Sequence, residues 1–228
     1  HCLKLCGMGL PMGLQYSITA IGSVILQTAV NDMGSTYVAA VSAGSKICMF
    51  MCCPFDAMGS TMATYGGQNV GAKRLDRVDQ GLKACIMMGI IYALVALAFS
   101  IVFGKQLALL FVKKEQIELI GYIYEFVVIN AAFYIFLALV NIVRFMIQGL
   151  GYSTFAILAG ICELIARSVA GFVLVPHFGF ICVSLGSPLA WVCADLFLIP
   201  AYLWVMKQLR RKFGENKISR AKSATATI

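Results

Sequence analysis

The sequence predicts an all-α membrane protein, a bundle of six transmembrane helices. Hydrophobic residues make up 61% of the chain and charged residues only 12%, whereas an average soluble domain is about 25% charged. A soluble chain could not cover this much apolar surface with so few charges. The apolar stretches are also continuous rather than alternating, which favours helices over a transmembrane β-barrel.

Each predicted helix is a stretch long enough to cross the hydrocarbon core, which takes about 20 apolar residues. The second stretch is unusually long and contains Pro54. The connections are short, so consecutive helices should be antiparallel neighbours. The spans form one predicted domain over residues 1–212, and they cover about 8–30, 37–65, 82–103, 117–143, 154–175 and 182–206.

The basic residues predict which side of the membrane each connection faces. Six spans place both termini on one side, and the polar, basic segment 213–228 marks that side as cytoplasmic. We expect this segment to be a disordered tail. The basic connection 66–81 falls on the same side, and the loops 31–36 and 176–181 fall outside without Lys or Arg. The chain is therefore expected to be a multi-pass protein of the plasma membrane.

The cysteines and histidines predict neither a metal site nor a catalytic centre. Most of the nine cysteines lie in apolar stretches, and His1 and His177 have no spacing to them that suits zinc. An intramembrane enzyme would need a His cluster, paired carboxylates or a Ser/His dyad at membrane depth. We therefore expect no enzymatic activity and no metal or other cofactor. The net charge of +8 belongs to membrane flanks rather than to a nucleic-acid surface.

The connection between the second and third spans first suggests a phosphate-binding loop. Gly66 and Gly71 have that spacing, but Ala72 and Lys73 follow where the motif requires Lys and then Ser or Thr. No strand precedes it, so nucleotide binding is rejected. We expect Gly66 and Gly67 to end the second helix and Gly71 to allow a tight turn.

The same connection carries a family resemblance. Gly67-Gln68-Asn69-Val70-Gly71-Ala72 resembles the Gly-Gln-Asn-x-Gly-Ala signature of the multidrug and toxic compound extrusion (MATE) family. Weaker matches occur in order along the chain, up to about Gly214. They are Gly9-Leu10-Pro11, Gln148-Gly149-Leu150-Gly151, Glu163-Leu164-Ile165-Ala166-Arg167, 176–179 and Pro188-Leu189-Ala190-Trp191.

The resemblance implies the C-terminal six-helix half of a twelve-helix, pseudo-symmetric transporter. The start at His1 without a methionine agrees with a fragment. Such transporters export organic cations or drugs in exchange for Na⁺ or H⁺ and alternate between outward-open and inward-open states. The implied partners are the lipid bilayer, the N-terminal half and the substrate.

The resemblance leaves the coupling ion and two alternatives open. Several branches of the family use acidic residues in the first and fourth spans of this half. Here the first span has no carboxylate, and Glu125 lies near the outer end of the fourth. We therefore expect Na⁺ or H⁺ to bind mainly in the N-terminal half. The alternatives are a flippase for lipid-linked oligosaccharides from the same superfamily, and a non-transporting membrane subunit.

Ionisable residues inside spans need an explanation, because each costs about 2.5–3.5 kcal/mol on insertion scales. Glu163 and Arg167 are four residues apart on one helix face and form either a structural pair or a gate. Asp56 follows Pro54 and is likewise expected to be either structural or part of a gate. Lys46 has no local partner and lies too deep to reach either membrane surface, so it is a cavity candidate.

Two further ionisable residues are expected to be structural. Arg144 lies near the inner end of its span, from which its side chain is expected to reach the lipid phosphates. Asp195 lies in the middle of the last span and is expected to serve packing.

Polar residues of the first and fourth spans predict a substrate cavity. Asn130, Tyr134 and Asn141 fall along one helix face. With residues of the first span they would line a cavity suited to bulky cations, unless they only join helices by hydrogen bonds. The candidates from the first span are Gln15, Tyr16 and Thr19.

Overall fold

The computed structural model describes the backbone of residues 2–225 and the side chains of residues 9, 10 and 13–214. These residues form helices and contain no strand. The helices are α1 (Cys2–Asn31), α2 (Ser35–Gly71), α3 (Leu75–Ala108), α4 (Ile117–Ala132), α5 (Tyr134–Gly149), α6 (Ser153–Val169), a π-helical segment (Ala170–Leu174), α7 (Val175–Phe178) and α8 (Phe180–Thr225).

The predicted fold class, an all-α bundle of apolar helices, is confirmed. Among the described residues, four helical stretches are long and apolar enough to cross a membrane: Ser35–Gly71, Leu75–Ala108, Ser153–Phe178 and Phe180–Gly214. A fifth results when α4 and α5 are counted as one bent span. The first predicted span lies within α1.

The fourth predicted span is not one straight helix. It breaks at Phe133, where α4 and α5 meet at 51°. The Phe133 N–H bonds the Asn130 carbonyl, three residues back, at 3.1 Å. The Asn130 amide donates to the Phe126 carbonyl at 2.8 Å and to the Ser184 carbonyl on α8 at 3.3 Å. A side chain that bonds back to the helix carbonyls is an ordinary cause of such a kink.

The fifth predicted span is also irregular near its C-terminal end. Pro176 has no N–H, so the i→i−4 ladder cannot continue normally through it. The preceding segment Ala170–Leu174 is π-helical, and α7 ends at Gly179 with φ 69°. Glycine tolerates this left-handed conformation, so the chain turns there into α8.

Helix α5 lies at the centre of the bundle. It packs against α2, α3, α6 and α8, and most of its side chains are buried. Helix α1 packs mainly on α6 and has few contacts with α2. A cleft is therefore left between α1 and α2, and α5 and α6 form its floor.

The glycines of the connection have a different role from the one expected. Gly66 and Gly67 do not end α2, which continues to Gly71. Instead they let α2 approach α5 closely: an added Cβ on Gly66 would lie 2.7 Å from the Met146 sulfur, and one on Gly67 3.3 Å from the Gly149 carbonyl. Small residues at helix crossings commonly serve this purpose in membrane proteins.

The turn after α2 is made by a lysine rather than by Gly71. Lys73 has φ 58°, and the Arg74 N–H reaches back to the Asn69 carbonyl at 2.8 Å. This is the hydrogen bond of a Schellman cap, whose left-handed position is usually glycine. The sequence predicts a turn here but assigns it to Gly71, because no glycine stands at position 73, where the left-handed conformation occurs.

The last helix extends beyond the predicted span. Helix α8 continues through Thr225, over residues for which the sequence predicts a disordered tail. Side chains beyond Gly214 and residues 226–228 lie outside the described residues, and the disorder stays a prediction. Before that point α8 is tied to α3, because Asp79 accepts a 2.9 Å hydrogen bond from the Tyr202 hydroxyl and pairs with Arg210.

Candidate functional site

The cleft between α1 and α2 has a volume of about 330 Å³ and a mixed polar and apolar lining. Five helices contribute to it, and α8 closes it behind α5 and α6. The lining residues are Gln15, Tyr16, Thr19, Cys52, Asp56, Ser60, Leu137, Val140, Asn141, Arg144, Phe145, Glu163, Arg167 and Trp191.

A buried charge cluster forms the floor of the cleft. Glu163 is 2% exposed, and its carboxylate is shared by Arg144 from α5 and Arg167 from α6. The Arg144 Nη2 group donates to Oε1, and the Arg167 Nη2 group lies 3.6 Å from Oε2. Arg144 and Arg167 are 5% and 6% exposed. Two guanidinium groups thus share one carboxylate, which leaves the cluster with one net positive charge.

The cluster also holds α1 in place. The Arg167 Nη1 group donates to the Thr19 carbonyl at 3.1 Å and lies 3.5 Å from the Ser23 hydroxyl. Nearby, the Gln148 side-chain amide at the end of α5 donates to the Oε1 atom of the Gln15 side chain at 2.5 Å. Helix α1 is therefore attached to α5 and α6 through polar contacts at the edge of the cleft.

Asp56 provides a negative charge on the opposite wall. It is exposed, and its Oδ1 atom accepts a 3.1 Å hydrogen bond from the Asn141 amide. Asn141 and Arg144 are three residues apart on α5, so they lie on neighbouring parts of one helix face. The acidic wall and the basic floor are therefore adjacent but separate.

Seven of the candidate site residues come together in this cleft. Asp56, from α2, meets Asn141 there. Glu163 and Arg167 form a pair, as their spacing predicts, and their role in gating stays a prediction. Three residues of α1 complete the set: Gln15, Tyr16 and Thr19.

The other three candidates lie elsewhere. Lys46 is exposed and lines a separate, apolar groove between α2 and α3, next to Phe50 and Tyr92. Asn130 is buried against α8. Tyr134 is fully buried, between the rings of Phe55 and Trp191. The break at Phe133 separates Asn130 from the other two residues of the predicted polar face, and of the three only Asn141 lines the cleft.

Sequence reasoning missed Arg144, which is central to the site. It was expected to extend towards the lipid phosphates, but it is buried and paired with Glu163. Its offset of three residues from Asn141 was the available signal, since such an offset places both on one helix face. No signal in the sequence linked it to Glu163, because the two residues lie on different helices.

Asp195 lies behind the cluster on α8. It is 4% exposed, and neither carboxyl oxygen has a hydrogen-bond partner among the described residues. Its charged neighbours are Arg144 and Glu163. Among the described residues, no three His, Cys, Asp or Glu side chains are grouped so that they could hold a metal ion.

Comparison with known proteins identifies the family. Residues 11–173 match the MatE family. The probable multidrug resistance protein YoeA of Bacillus subtilis is 22% identical over 112 residues, which are 49% of this chain and 24% of that protein. The chain spans less than half the length of the relatives it matches.

Solved structures show the same fold. An inward-facing multidrug resistance MATE family transporter of the MOP superfamily superimposes with a TM-score of 0.75 at 18% identity, over 89% of this chain and 47% of that one. A MOP superfamily transporter from Pyrococcus furiosus gives 0.70 at 17% identity, over 84% and 42%. Because the family match covers most of the chain, the protein belongs to the MatE family of membrane transporters.

Proposed function

We propose that this chain forms the C-terminal bundle of a cation-coupled multidrug exporter that works by alternating access. The observation that carries the proposal is the cleft between α1 and α2, which places charged and amide side chains at membrane depth. Charged groups within transmembrane segments usually face a bundle interior or a water-filled cavity and mark transport pathways. A second bundle of similar size, facing this cleft, would enclose a central substrate cavity.

The coupling between drug and ion follows from the same arrangement. Substrate and coupling ion each favour a different state of the carrier, and the free energy of coupling is the difference in their affinities for the two states. We propose that Na⁺ or H⁺ binds mainly in the N-terminal bundle. In this bundle Glu163, Arg167 and Asp56 would respond to the state of the cleft.

The membrane orientation is part of the proposal. Basic residues accumulate at 207–222 and at the connection between α2 and α3, and cytoplasmic segments carry an excess of Lys and Arg. The protein would lie in the plasma membrane with a cytoplasmic C-terminus. Cysteine labelling at Gly214 and at Asp32, on intact and on permeabilised cells, would test the orientation. Labelling of the Gly214→Cys variant on intact cells would contradict it.

Transport by the full-length protein tests the function. It should be reconstituted into liposomes, with ethidium uptake measured while the sodium gradient or the proton gradient is collapsed separately. We expect transport that stops with one of the two gradients. A full-length protein that folds but moves no dye under either gradient would support a non-transporting membrane subunit instead.

A second candidate function is export or flipping of a lipid-linked oligosaccharide. The favouring observation is the net positive charge of the cluster of Arg144, Glu163 and Arg167, which suits a pyrophosphate group. The Pyrococcus furiosus transporter is described as having a binding pocket of reverse polarity that suggests a different function. Translocation of a fluorescent lipid-linked oligosaccharide, without ethidium transport, would favour this candidate.

A further inference from the structure

We propose that the cleft selects an amphipathic zwitterion, with Asp56 receiving its positive group and Arg144 its negative group. The inference rests on the proposed function and deepens it by naming the substrate class. It depends on two opposite charges that line one cleft and do not pair with each other.

Arg144 has hydrogen-bonding capacity left over for a ligand. Its Nη2 group is used by Glu163, but its Nε and Nη1 groups have no partner among the described residues. The Nε group is enclosed, and the Arg144 side chain lines the cleft. Arg167 also has an enclosed Nε group without a partner, but it is already bonded to α1 as well as to Glu163. An anionic group in the cleft would therefore bind Arg144 first, and guanidinium groups suit carboxylate and phosphate.

No side chain behind the floor pairs with this positive charge. Asp195 is a charged neighbour of Arg144, yet neither of its oxygens has a hydrogen-bond partner among the described residues. Glu163 divides its carboxylate between two arginines. The excess positive charge of the cluster is therefore directed towards the cleft.

Asp56 is the corresponding unpaired negative charge. It is exposed in the cleft, its one hydrogen bond comes from Asn141, and it makes no ion pair with a described residue. Asn141 lies three residues from Arg144, a rise of about 4.5 Å along α5. Asp56 and Arg144 thus line the same cleft without forming an ion pair, and Asp56 is bonded to Asn141 instead.

The charge pattern decides between substrate classes. A simple cation would pair with Asp56 but leave Arg144 unsatisfied and add a like charge beside it. A simple anion would leave Asp56 unsatisfied in the same way. A zwitterion pairs with both groups, and Leu137, Val140, Phe145 and Trp191 offer apolar and aromatic surface to its body. A site with two opposite charges is specific because a ligand that lacks one of the matching charges leaves a protein group unpaired and therefore binds less tightly.

Three dyes with one ring system test the inference. Rhodamine B carries a cationic xanthene and a carboxylate, its ethyl ester keeps only the cation, and fluorescein is an anion. Binding to the purified full-length protein should be measured by fluorescence anisotropy at neutral pH. We expect rhodamine B to bind about tenfold more tightly than its ester, as one added ion pair of moderate strength would give.

Variants assign the preference to the two residues. Arg144→Gln should lower affinity for rhodamine B about tenfold and should not weaken its ester, which loses a like charge beside it, and Asp56→Asn should weaken both cationic dyes. Arg144→Lys keeps the charge and should retain most of the preference, which covers the case in which Arg144→Gln fails to fold. Lys46→Ala, outside the cleft, is the matched control and should change nothing.

The outcomes separate this inference from the proposed function. Equal binding of rhodamine B and its ester to the unmodified protein would overturn the zwitterion assignment, even if both dyes are exported. An unchanged preference in folded Arg144→Gln would overturn the role of Arg144. Failure to export any dye, with binding preference intact, would refute the exporter and leave the assignment of the cleft standing.

Discussion

Replacing Glu163 by glutamine should destabilise the bundle strongly. The substitution keeps the size of the side chain but removes the negative charge that two buried arginines share. Breaking a buried ion pair by removing one partner typically costs about 3–5 kcal/mol, because the remaining charge stays buried without compensation. That is a large part of the total stability of about 5–15 kcal/mol that folded proteins commonly have.

The structure shows how this loss is divided between the two arginines. Arg167 keeps its hydrogen bond to the Thr19 carbonyl and its contact with Ser23 after the change. Arg144 loses its partner among the described residues. Most of the penalty should therefore arise at Arg144, and Arg144→Met combined with Glu163→Gln should recover part of the lost stability.

Unfolding of the full-length protein in detergent, followed by tryptophan fluorescence, measures the effect. Glu115→Gln is the matched control, since Glu115 is exposed in the loop before α4 and its replacement should change the free energy of unfolding by less than about 0.5 kcal/mol. Replacing the whole triad by apolar residues of similar volume should be far less harmful than Glu163→Gln alone.

A small effect of Glu163→Gln would refute this reasoning. A loss below about 1 kcal/mol, in a protein that remains folded, would mean that water or another carboxylate compensates the arginines. Asp195 would then be the first candidate, and Asp195→Asn in the Glu163→Gln background would reveal it through a further, non-additive loss of stability.

Two other substitutions test the close packing of α2 on α5 and the turn after α2. Gly149→Ala should destabilise the bundle by about 1–3 kcal/mol, because the added Cβ would lie 2.1 Å from the Ala63 carbonyl oxygen. The control Gly121→Ala should not destabilise it, because a Cβ there meets nothing within 4 Å. Equal thermal stability of the two variants would contradict the close approach of α2 and α5. Lys73→Gly should raise stability by up to about 1 kcal/mol, since Lys73 has φ 58° and glycine is favoured at this cap position. Lys83→Gly, within α3, should lower stability by about that amount, and a destabilising Lys73→Gly would show that the lysine side chain has another role.

The sequence was sufficient for the fold class because composition and length act on the whole chain. Continuous apolar stretches can satisfy their backbone hydrogen bonds in lipid only as helices. The helical bundle could therefore be predicted without knowledge of any contact between residues. The irregularities at Phe133 and at Lys73 did not follow. No proline or glycine marks either position, and each depends on a specific hydrogen bond: Asn130 to the Phe126 carbonyl in one case and Arg74 to the Asn69 carbonyl in the other.

The site was predictable where helical periodicity was enough. Glu163 and Arg167 are neighbours on one helix, so their pairing followed from their spacing alone. Asn141 lines the cleft, but grouping Asn130 with it assumed that the fourth span is straight. The bend of 51° at Phe133 separates Asn130, which turns to α8. Tyr134 lies on the same helix as Asn141 but packs against Phe55 and Trp191 in the core.

The position of Arg144 shows why charge at membrane depth has to be judged across helices. Arg144 has no partner within its own span, so its charge was expected to be solvated by the lipid phosphates, which costs the least free energy. The bundle instead brings Glu163 to it from α6, and Glu163 already has Arg167. A third charge added to a satisfied pair leaves an excess that only another charged group can balance. Under the proposal above, the balancing group comes from a bound substrate, so the contact that buries Arg144 would also give the cleft its selectivity.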